Sequence, residues 1–346
     1  MTKIIPIRHC DIKKIIKMIE YVSPGLSPGM IGDKIFIPSP FNIFHQLLPL
    51  NWKFLQECYV AVENNEPLGL ISLAPDGHTK TRWKINRLVL GMNAYDVGKQ
   101  LIDYVVNKYG GAGVEVFLAV IDENYTEAIS LFKNACSFRS SSKINIWEYD
   151  GSYLSNNDTM PDYLRKVDKT DAQKLYDLDS EAILPQFRTS LIKTPADFNF
   201  GTKNKILNRV KGYKTYKYVL DNPSNNRLEG LVSIFTADNT NFWADITLSL
   251  AYKEYYENLV NFAFNIVKSQ NKDARLYIGI KDYQQTGKFM AEVLASHNFK
   301  LCGNFQMLVK DYWRPAGLFI ERKVPTIIFP DMTSPACNII RFIIES

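Results

Sequence analysis

The sequence repeats itself once, and this repeat limits the folds that the chain can adopt. Four blocks of the first half recur in the second half, and their matched positions are separated by 160 or 161 residues (167 − 7 = 160, 230 − 69 = 161, 243 − 83 = 160 and 299 − 138 = 161). One separation that persists over four distant blocks predicts two copies of one fold in a single chain. The four pairs are Ile7 with Val167, Gly69 with Gly230, Trp83 with Trp243, and Phe138 with Phe299.

The repeat predicts the domain boundaries. We expect a first domain at residues 1–150, a linker at 151–160 and a second domain at 161–312, because the stretch around the linker reads DGSYLSNNDTMP and is polar and rich in turn residues. A tail at 313–346 has no counterpart in the first copy. Its apolar runs, TIIF and NIIRFII, predict that it packs on the body of the protein.

Composition excludes several classes of protein. Hydrophobic residues make up 46% of the chain and charged residues 22%, which is typical of a globular protein. The net charge is +5 without a block of Lys and Arg, so we expect no nucleic-acid partner. No apolar run approaches the ~18 residues that a membrane span needs, and the charged N-terminal residues do not fit a signal peptide.

The cysteines and histidines predict neither a disulfide framework nor a metal site. The five cysteines are odd in number and contain no CxxC pair, which favours a reducing, cytoplasmic location. The four histidines lack the spacing of metal ligands, so no metal is expected.

Each copy is predicted to follow the order β-α-α-β-β-β-α-β-α-β. Strand-like runs such as CYVAVE and LGLISLA alternate with amphipathic segments such as the one at Val97–Tyr109. The fold class is therefore α/β (α+β), with two tandem domains that each contain a mixed, mostly antiparallel sheet flanked by helices.

The residues at the joints of this order resemble the GNAT (N-acetyltransferase) superfamily, here as a tandem of two acyl-CoA N-acyltransferase-like domains. Residues 5–15 read IPIRHCDIKKI at the first strand and helix, and residues 88–90 read LVL at the end of the fourth strand. The third helix reads VGKQLIDYVV, and residues 124–139 read NYTEAISLFKNACSFR, which is similar to the family segment N-x-x-A-I-x-L-Y-x-x-x-G-F.

This resemblance implies acyl transfer from acetyl-CoA or another acyl-CoA to an amine, with no metal. In the family, the pantetheine arm inserts between two central parallel strands. The pyrophosphate lies on free amides at a helix N-terminus, a natural anion site. The residues implied to contact the acyl-CoA are Leu88, Val89, Leu90, Asn93, Ala94, Tyr95, Val97, Gly98, Lys99, Asn124 and Phe132.

The turn after the fourth strand departs from the family pattern Q/R-x-x-G-x-G/A. Only Gly98 remains of its glycines, and Asp96 introduces a carboxylate. A carboxylate ~5 Å from a phosphate would cost about 3 kcal/mol and weaken binding roughly a hundredfold. Alternatively, Asp96 caps the helix and accepts from the amides that the acyl-CoA would need.

The second copy lacks a phosphate turn. Residues 251–259 read AYKEYYENL, with no glycine and two glutamates, and the turn is expected to be two residues shorter than in the first copy. Three tyrosines are expected to fill the groove, so the second copy is predicted not to bind coenzyme A. They are Tyr252, Tyr255 and Tyr256.

Catalytic groups are sparse. The family often places a tyrosine on the fourth helix as general acid, and the first copy has Phe132 there, which carries no exchangeable proton. The nearest carboxylate is Glu123, at the end of the fifth strand, and it is the candidate general base.

Two functions remain open on this reading. One is an acetyl-CoA-dependent N-acyltransferase that uses the N-terminal copy, with a small-molecule amine or a protein amino group as acceptor. The other is a catalytically inactive tandem that binds a small molecule or a protein as a scaffold. The retention of Gly98 and Asn124 in one copy favours the enzyme.

Overall fold

The structure is a computed structural model. It describes residues 2–7, 10, 12–21, 57–76, 81–91, 95–149, 163–199, 214–222, 224, 226–236 and 238–312. The predicted linker at 151–160 and the predicted tail at 313–346 lie outside the described residues. The same holds for the second helix expected in the first copy.

The first copy contributes six strands and the helices between them. Helix α2 buries one stripe of its surface, since Leu101, Ile102, Val105 and Val106 are all covered, as expected of an amphipathic helix. The elements are β1 (Lys3–Pro6), α1 (Ile12–Tyr21), β2 (Glu57–Glu63), β3 (Glu66–Pro75), β4 (Arg82–Leu90), α2 (Tyr95–Gly111), β5 (Val116–Asp122), α3 (Thr126–Ser130, continued by a π-helix at Leu131–Ala135) and β6 (Arg139–Tyr149).

The second copy repeats this order. Short 3₁₀ turns precede α4, α5 and α6, and another follows α5 at Pro195–Phe198. The elements are β7 (Leu164–Lys166), α4 (Ala172–Ala182), α5 (Arg188–Leu191), β8 (Lys214–Asn222), β9 (Arg227–Thr236), β10 (Asn241–Leu248), α6 (Tyr256–Gln270), β11 (Arg275–Lys281), α7 (Gly287–Ser296) and β12 (Lys300–Asp311).

All strands in the described part of the chain join one 12-stranded sheet, in the order β1-β2-β3-β4-β5-β12-β6-β11-β10-β9-β8-β7. Within the described strands, parallel pairing occurs between β4 and β5 and between β10 and β11, and every other pair is antiparallel. The order reads the same from both ends when equivalent strands are exchanged. The predicted tandem of mixed, mostly antiparallel sheets is confirmed.

The last strand of each copy lies in the other copy. Strand β12 pairs with β5 from Phe305 opposite Asp122 to Asp311 opposite Val116, and its other edge pairs with β6. Strand β6 in turn pairs with β11, from Leu276 opposite Tyr149 onward. The two copies therefore share main-chain hydrogen bonds across the centre of the sheet.

Helices cover both faces of the sheet. On one face α2 and α3 pack on the first copy, and α6 and α7 pack on the second. On the opposite face, Ile15 of α1 packs on Val60 and Leu70, and Leu175 of α4 packs on Val219. No helix in the described part of the chain is long and apolar enough to cross a membrane.

The exchange predicts that half of the chain does not fold alone. A fragment of residues 1–150 lacks β12, so the edge of β5 loses its partner and β6 loses both neighbours. We expect this fragment to aggregate or to melt without cooperativity, as judged by size-exclusion chromatography and circular dichroism. Co-production with residues 151–346 should restore a 1:1 complex that melts cooperatively. A monomeric 1–150 fragment with a sharp melting transition would contradict this expectation.

Candidate functional site

The two parallel central strands of the first copy diverge partway along their length. Strands β4 and β5 pair from Arg82 opposite Val116 to Ile85 opposite Ala119. Beyond Ile85, the recorded pairs of β4 are with β3, while β5 continues beside β12 as far as Asp122. We call the opening between these strand ends the first fork. It is the opening into which the acyl-pantetheine arm was predicted to insert.

A β-bulge lies at the apex of the first fork. Ser72 of β3 pairs with Arg87, whereas the next residue, Leu73, pairs with Ile85, so Asn86 is the extra residue. Bulges often occur next to functional sites, where they redirect side chains. The sequence reading did not identify Asn86, because a bulge leaves no mark in the apolar pattern.

Two amides of β4 face into the first fork. The amide of Gly91 donates to the carbonyl oxygen of Leu68 on β3 at 2.8 Å. Since successive amides of a strand point in opposite directions, the amides of Leu88 and Leu90 face away from β3 and toward the fork. All three predicted residues of this strand end, including Val89, have buried side chains.

The first turn of α2 lies beyond the end of β4. Tyr95 and Asp96 are exposed and Val97 is half-buried, while Asn93 and Ala94 lie outside the described residues. The Asp96 carboxylate has no hydrogen bond or ion pair to another described residue. Because it is exposed, its repulsion of a phosphate would be screened by water, so we expect it to weaken binding about tenfold rather than a hundredfold.

Packing accounts for Gly98. A Cβ at this position would lie 2.7 Å from Leu90 Cδ1 and 2.8 Å from Leu131 Cδ2, closer than two carbon atoms can approach. The glycine therefore allows α2 to lie against β4 and the π-helical turn. This explanation needs no ligand, so Gly98 by itself does not indicate a phosphate site.

The other predicted contacts have partners within the protein. Lys99 forms an ion pair with Asp103 one turn along α2, and the hydrogen bond to that carboxylate raises the pKa of Lys99. Phe132 is fully buried and packs edge-on against Phe138, with ring centroids 5.0 Å apart. It thus belongs to the core beside the first fork.

The residues after β5 form a polar turn. The backbone amide and the Nδ2 group of Asn124 each donate to Asp122 Oδ1 at 2.9 Å. Glu123 lies 2.8 Å from the ammonium of Lys143, and this hydrogen bond raises the pKa of the lysine. The contacts of Glu123 as general base and of Asn124 with a pantetheine amide remain predictions.

The second copy contains an equivalent fork that side chains bridge. Strands β10 and β11 stop pairing after Ala244 opposite Ile278. The next residue, Asp245, lies 2.7 Å (Oδ1) and 2.8 Å (Oδ2) from the ammonium of Lys281 on β11. These side chains hold the two strands together across what we call the second fork.

The end of α4 also covers the second fork. The amide of Gln285 donates to the carbonyl of Ala182 at 2.8 Å, and that of Leu184 donates to Tyr283 at 2.9 Å. Tyr256, predicted to fill the groove, is fully buried in the core beside α6. Tyr255 does not fill it, since its side chain is 41% exposed.

The predicted shortening of the second turn is wrong. Leu90 pairs with Gly69 and Leu248 pairs with Gly230, so Leu248 is the counterpart of Leu90 and the second turn begins two residues earlier than expected. A Cβ on Gly69 would lie 3.2 Å from Leu101, and one on Gly230 would lie 3.5 Å from Leu259. Leu101 and Leu259 are therefore equivalent, and the connection from the strand end to this leucine is equally long in both copies (101 − 90 = 11 and 259 − 248 = 11). The bulge at Asn86 accounts for one of the two residues. The other comes from the pairing of Trp83 with Trp243, which is wrong: Trp83 packs in the core beside α2, whereas Trp243 packs on the opposite face of the sheet.

A cluster of charged residues beside the second fork was missed by the sequence reading. Lys193 lies 2.8 Å from Asp179 of α4, next to the pair of Lys281 with Asp245. Lys217 and Asp245 pair with the same residue of β9 and so lie on one face of the sheet. Burial, together with the charge of Lys193, lowers the pKa of Lys217 to about 7. The sequence feature that could have indicated this cluster is Asp245, a carboxylate within the otherwise apolar strand FWADITL.

Comparisons with known proteins agree with this geometry. Neither a family model nor a curated protein sequence matches the chain. Among solved structures, a tandem GNAT protein from the clavulanic acid biosynthesis pathway superimposes with a TM-score of 0.58 at 10% identity, covering 91% of this chain and 99% of that one. A GCN5-related N-acetyltransferase from Sphaerobacter thermophilus gives 0.54 at 10% identity, covering 79% and 85%. The chain has the tandem GNAT fold, as the resemblance implied.

The packing of Gly98 gives a first prediction for this region. Gly98→Ala should lower the free energy of unfolding by about 1–3 kcal/mol, because the added methyl overpacks Leu90 and Leu131. Gly111→Ala is the matched control on the same helix, since no atom lies within 4 Å of its Cβ position. It should be neutral or stabilising by up to about 1 kcal/mol. Equal urea midpoints for the two variants would refute the packing explanation.

Lys217 gives a prediction about pH. Its folded pKa of about 7 lies below the unfolded value of ~10.4, so between these values the unfolded chain binds a proton that the folded chain releases. Its contribution to stability therefore increases with pH from about 7 to about 10. Lys217→Met should remove this increase in urea unfolding at several pH values. Lys214→Met, at an exposed position on the same strand, should retain it. A Lys217→Met curve parallel to that of the natural chain would contradict the assignment.

Proposed function

We propose that the protein is an acyl-CoA-dependent N-acyltransferase that binds acyl-CoA in the first fork. The observation that carries this proposal is the divergence of β4 and β5 beyond Ile85 and Ala119. It leaves the amides of Leu88 and Leu90 facing an opening at whose end α2 begins. Main-chain amides and a helix N-terminus are suited to bind a pantetheine arm and a pyrophosphate.

The residues at the first fork fit an acyl-CoA except at the phosphates, where side chains give no support. Leu88, Val89 and Leu90 would line the arm, and the amides at the start of α2 would meet the phosphates. Asp96 opposes phosphate binding, and Lys99 is engaged by Asp103. The main-chain groups therefore carry most of the expected affinity.

Acyl-CoA supplies a thioester whose carbonyl carbon is open to attack by an amine. We expect a neutral amine to form the new nitrogen–carbon bond as the carbon–sulfur bond breaks. The nitrogen loses a proton, and the departing sulfur ends as a thiol. The amides of Leu88 and Leu90 are placed to donate to the carbonyl oxygen as negative charge develops on it.

The first fork has few side chains that could transfer protons during the reaction. Phe132 is buried and cannot protonate the departing sulfur, so solvent is expected to do so. Glu123 is the candidate acceptor for the proton of the amine, although Lys143 is its partner in this structure. Positioning of the two reactants would then supply most of the rate enhancement. Asn86, at the apex of the fork, is a further candidate for orienting the acyl group.

We assign the second copy a supporting role. Its β12 pairs with the edge of β5 that faces away from the first fork, so β5, one side of the fork, is held within the sheet only when the second copy is folded. The second fork is bridged by Asp245 with Lys281 and is covered by the end of α4. An acyl-CoA is therefore expected to bind once per chain.

The expected partners follow from this chemistry. The acceptor would be a small-molecule amine or a protein amino group, and neither a nucleic acid nor a membrane is expected to take part. A cytoplasmic location is supported by the free thiols of four cysteines in the described part of the chain, Cys10, Cys58, Cys136 and Cys302.

Calorimetric titration with acetyl-CoA tests the proposal. We expect one site per chain and a Kd in the micromolar range. Asp96→Asn should tighten binding about tenfold, because it removes a like charge near the pyrophosphate while keeping the shape of the side chain. Glu254→Gln is the matched control at the equivalent position of the second copy (254 − 96 = 158, as for Leu248 and Leu90), and it should leave the Kd unchanged.

The outcomes separate the two functions. Binding by both the natural chain and Asp96→Asn supports an enzyme, and a release of free thiol upon addition of an amine would establish turnover. If neither protein binds acetyl-CoA, the proposed enzyme function is wrong. The second function, a tandem that acts as a binding or scaffold module, would then be favoured. Tighter binding by Glu254→Gln would place the site in the second copy and contradict the proposal.

A further inference from the structure

A cavity of about 460 Å³ lies in the second copy. It is enclosed by α4, the start of β9 and the turn that follows β10. Its volume is within the range of small-molecule sites, about 300–1,000 Å³. Leu178 and Leu228 supply apolar surface. The polar lining that bears on a ligand consists of Lys174, Asp177, Glu181, Arg227, Glu229 and Ser249.

A buried carboxylate lines this cavity. Glu229 is 7% exposed, and its Oε2 accepts a hydrogen bond from the Ser249 hydroxyl at 2.7 Å. No ion pair joins Glu229 to a cation elsewhere in the described chain. A buried charge satisfied by one neutral hydroxyl is unfavourable, so a cationic group that enters the cavity would gain a strong charge-assisted hydrogen bond.

Two more carboxylates line the same cavity. Asp177 and Glu181 are four residues apart on α4, so they lie on one face of the helix and repel each other. Asp177 accepts from the side-chain amide of Gln173 at 2.9 Å. Among the described residues, no three His, Cys, Asp or Glu side chains are placed to hold a metal ion. The carboxylates therefore suit an extended organic cation.

Positive charge lines the cavity as well. Arg227 is exposed and forms no ion pair with another described residue, so its guanidinium can bind a carboxylate in the bidentate manner. Lys174 donates to Asn226 Oδ1 at 2.7 Å and is already engaged. The cavity is thus lined by the buried carboxylate of Glu229 and by the exposed guanidinium of Arg227.

The first copy is an internal control for this site. Gly91 donates to the carbonyl of Leu68 at 2.8 Å, and Ser249 donates to that of Glu229 at the same distance, so these are equivalent pairs. The carboxylate and hydroxyl of the second copy are therefore replaced by leucine and glycine in the first. The pair of Glu229 with Ser249 is thus a feature of the second copy and is not required by the fold.

We propose that this cavity binds a small molecule with an ammonium or guanidinium group at one end and a carboxylate at the other, the chemistry of a basic amino acid. Glu229 binds the cationic group, with Asp177 and Glu181 beside it. Arg227 binds the carboxylate. The site is separate from the first fork and does not depend on acyl-CoA binding there.

Calorimetric titrations of the full chain with L-lysine, L-arginine and cadaverine, without acyl-CoA, test this proposal. We expect one site per chain for L-lysine or L-arginine, with a Kd of about 1 mM or tighter. Glu229→Gln preserves the shape and the contact with Ser249 but removes the charge, so it should weaken every probe that binds by at least about tenfold. Arg227→Gln should weaken the two amino acids and leave cadaverine, which has no carboxylate, unchanged.

Two controls keep the test decisive. Glu292→Gln, at an exposed position on α7, should change no Kd. If Glu229→Gln does not fold, as judged by circular dichroism, the exposed pair Asp177→Asn with Glu181→Gln provides the same loss of negative charge and should weaken L-lysine. Absence of binding by both amino acids at millimolar concentrations, or unchanged affinity in the folded charge-removal variants, would overturn the proposal.

Discussion

The main-chain hydrogen bonds of β12 and β6 at the centre of the sheet are the interaction on which the rest of the structure depends. Each strand is the last of its copy, and each pairs with the fifth strand of the other copy. Hydrogen bonds of a central sheet are buried and must be satisfied, so the two copies cannot separate without exposing both edges of β6 and β12 and one edge each of β5 and β11. Strand β5, one side of the first fork, is consequently held in the sheet by a strand from the second copy.

The same fold has been used in two ways within one chain. In the first copy the central strands diverge and leave main-chain amides facing the opening. In the second copy an ion pair spans the opening, between Asp245 and Lys281, and the end of α4 covers it. This ion pair is half-buried and is weak evidence for stability, but it fixes the geometry of the two strands that it joins. The second copy also has a polar cavity lined by α4, and its Glu229 and Ser249 are replaced by Leu68 and Gly91 in the first copy.

Local patterns explain how much of this could be predicted from the sequence. The amphipathic stripe of α2 and the apolar runs of β4 and β5 are visible in the sequence, and the repeat implies two copies of the same order. The strand exchange could not be predicted, because an apolar strand carries no mark of its partner. Asn86 was missed because one inserted residue does not disturb the composition of the strand. Together with the pairing of Trp83 with Trp243, which lie on opposite faces of the sheet, it displaced the alignment of the following turn.

The candidate sites were predictable to different degrees. The family resemblance identified the strand end at Leu88–Leu90, where the structure places the fork. It could not separate Gly98 as a phosphate residue from Gly98 as a packing residue, since both require the absence of a side chain. The contact of Glu229 with Ser249 joins residues 20 positions apart through the antiparallel register of β9 and β10. No local motif predicts such a pair.

The position of β12 also determines when the first copy can be completed during synthesis on the ribosome. Strand β6 ends at Tyr149 and β12 ends at Asp311, so 162 further residues (311 − 149 = 162) must be added before β5 gains its neighbour. At 5–20 residues per second this takes roughly 10–30 s, far longer than a small domain needs to fold. During that interval the nascent chain presents an open edge of β5, which is a surface for chaperones. The two copies must therefore complete their folding together, after β12 has been synthesised.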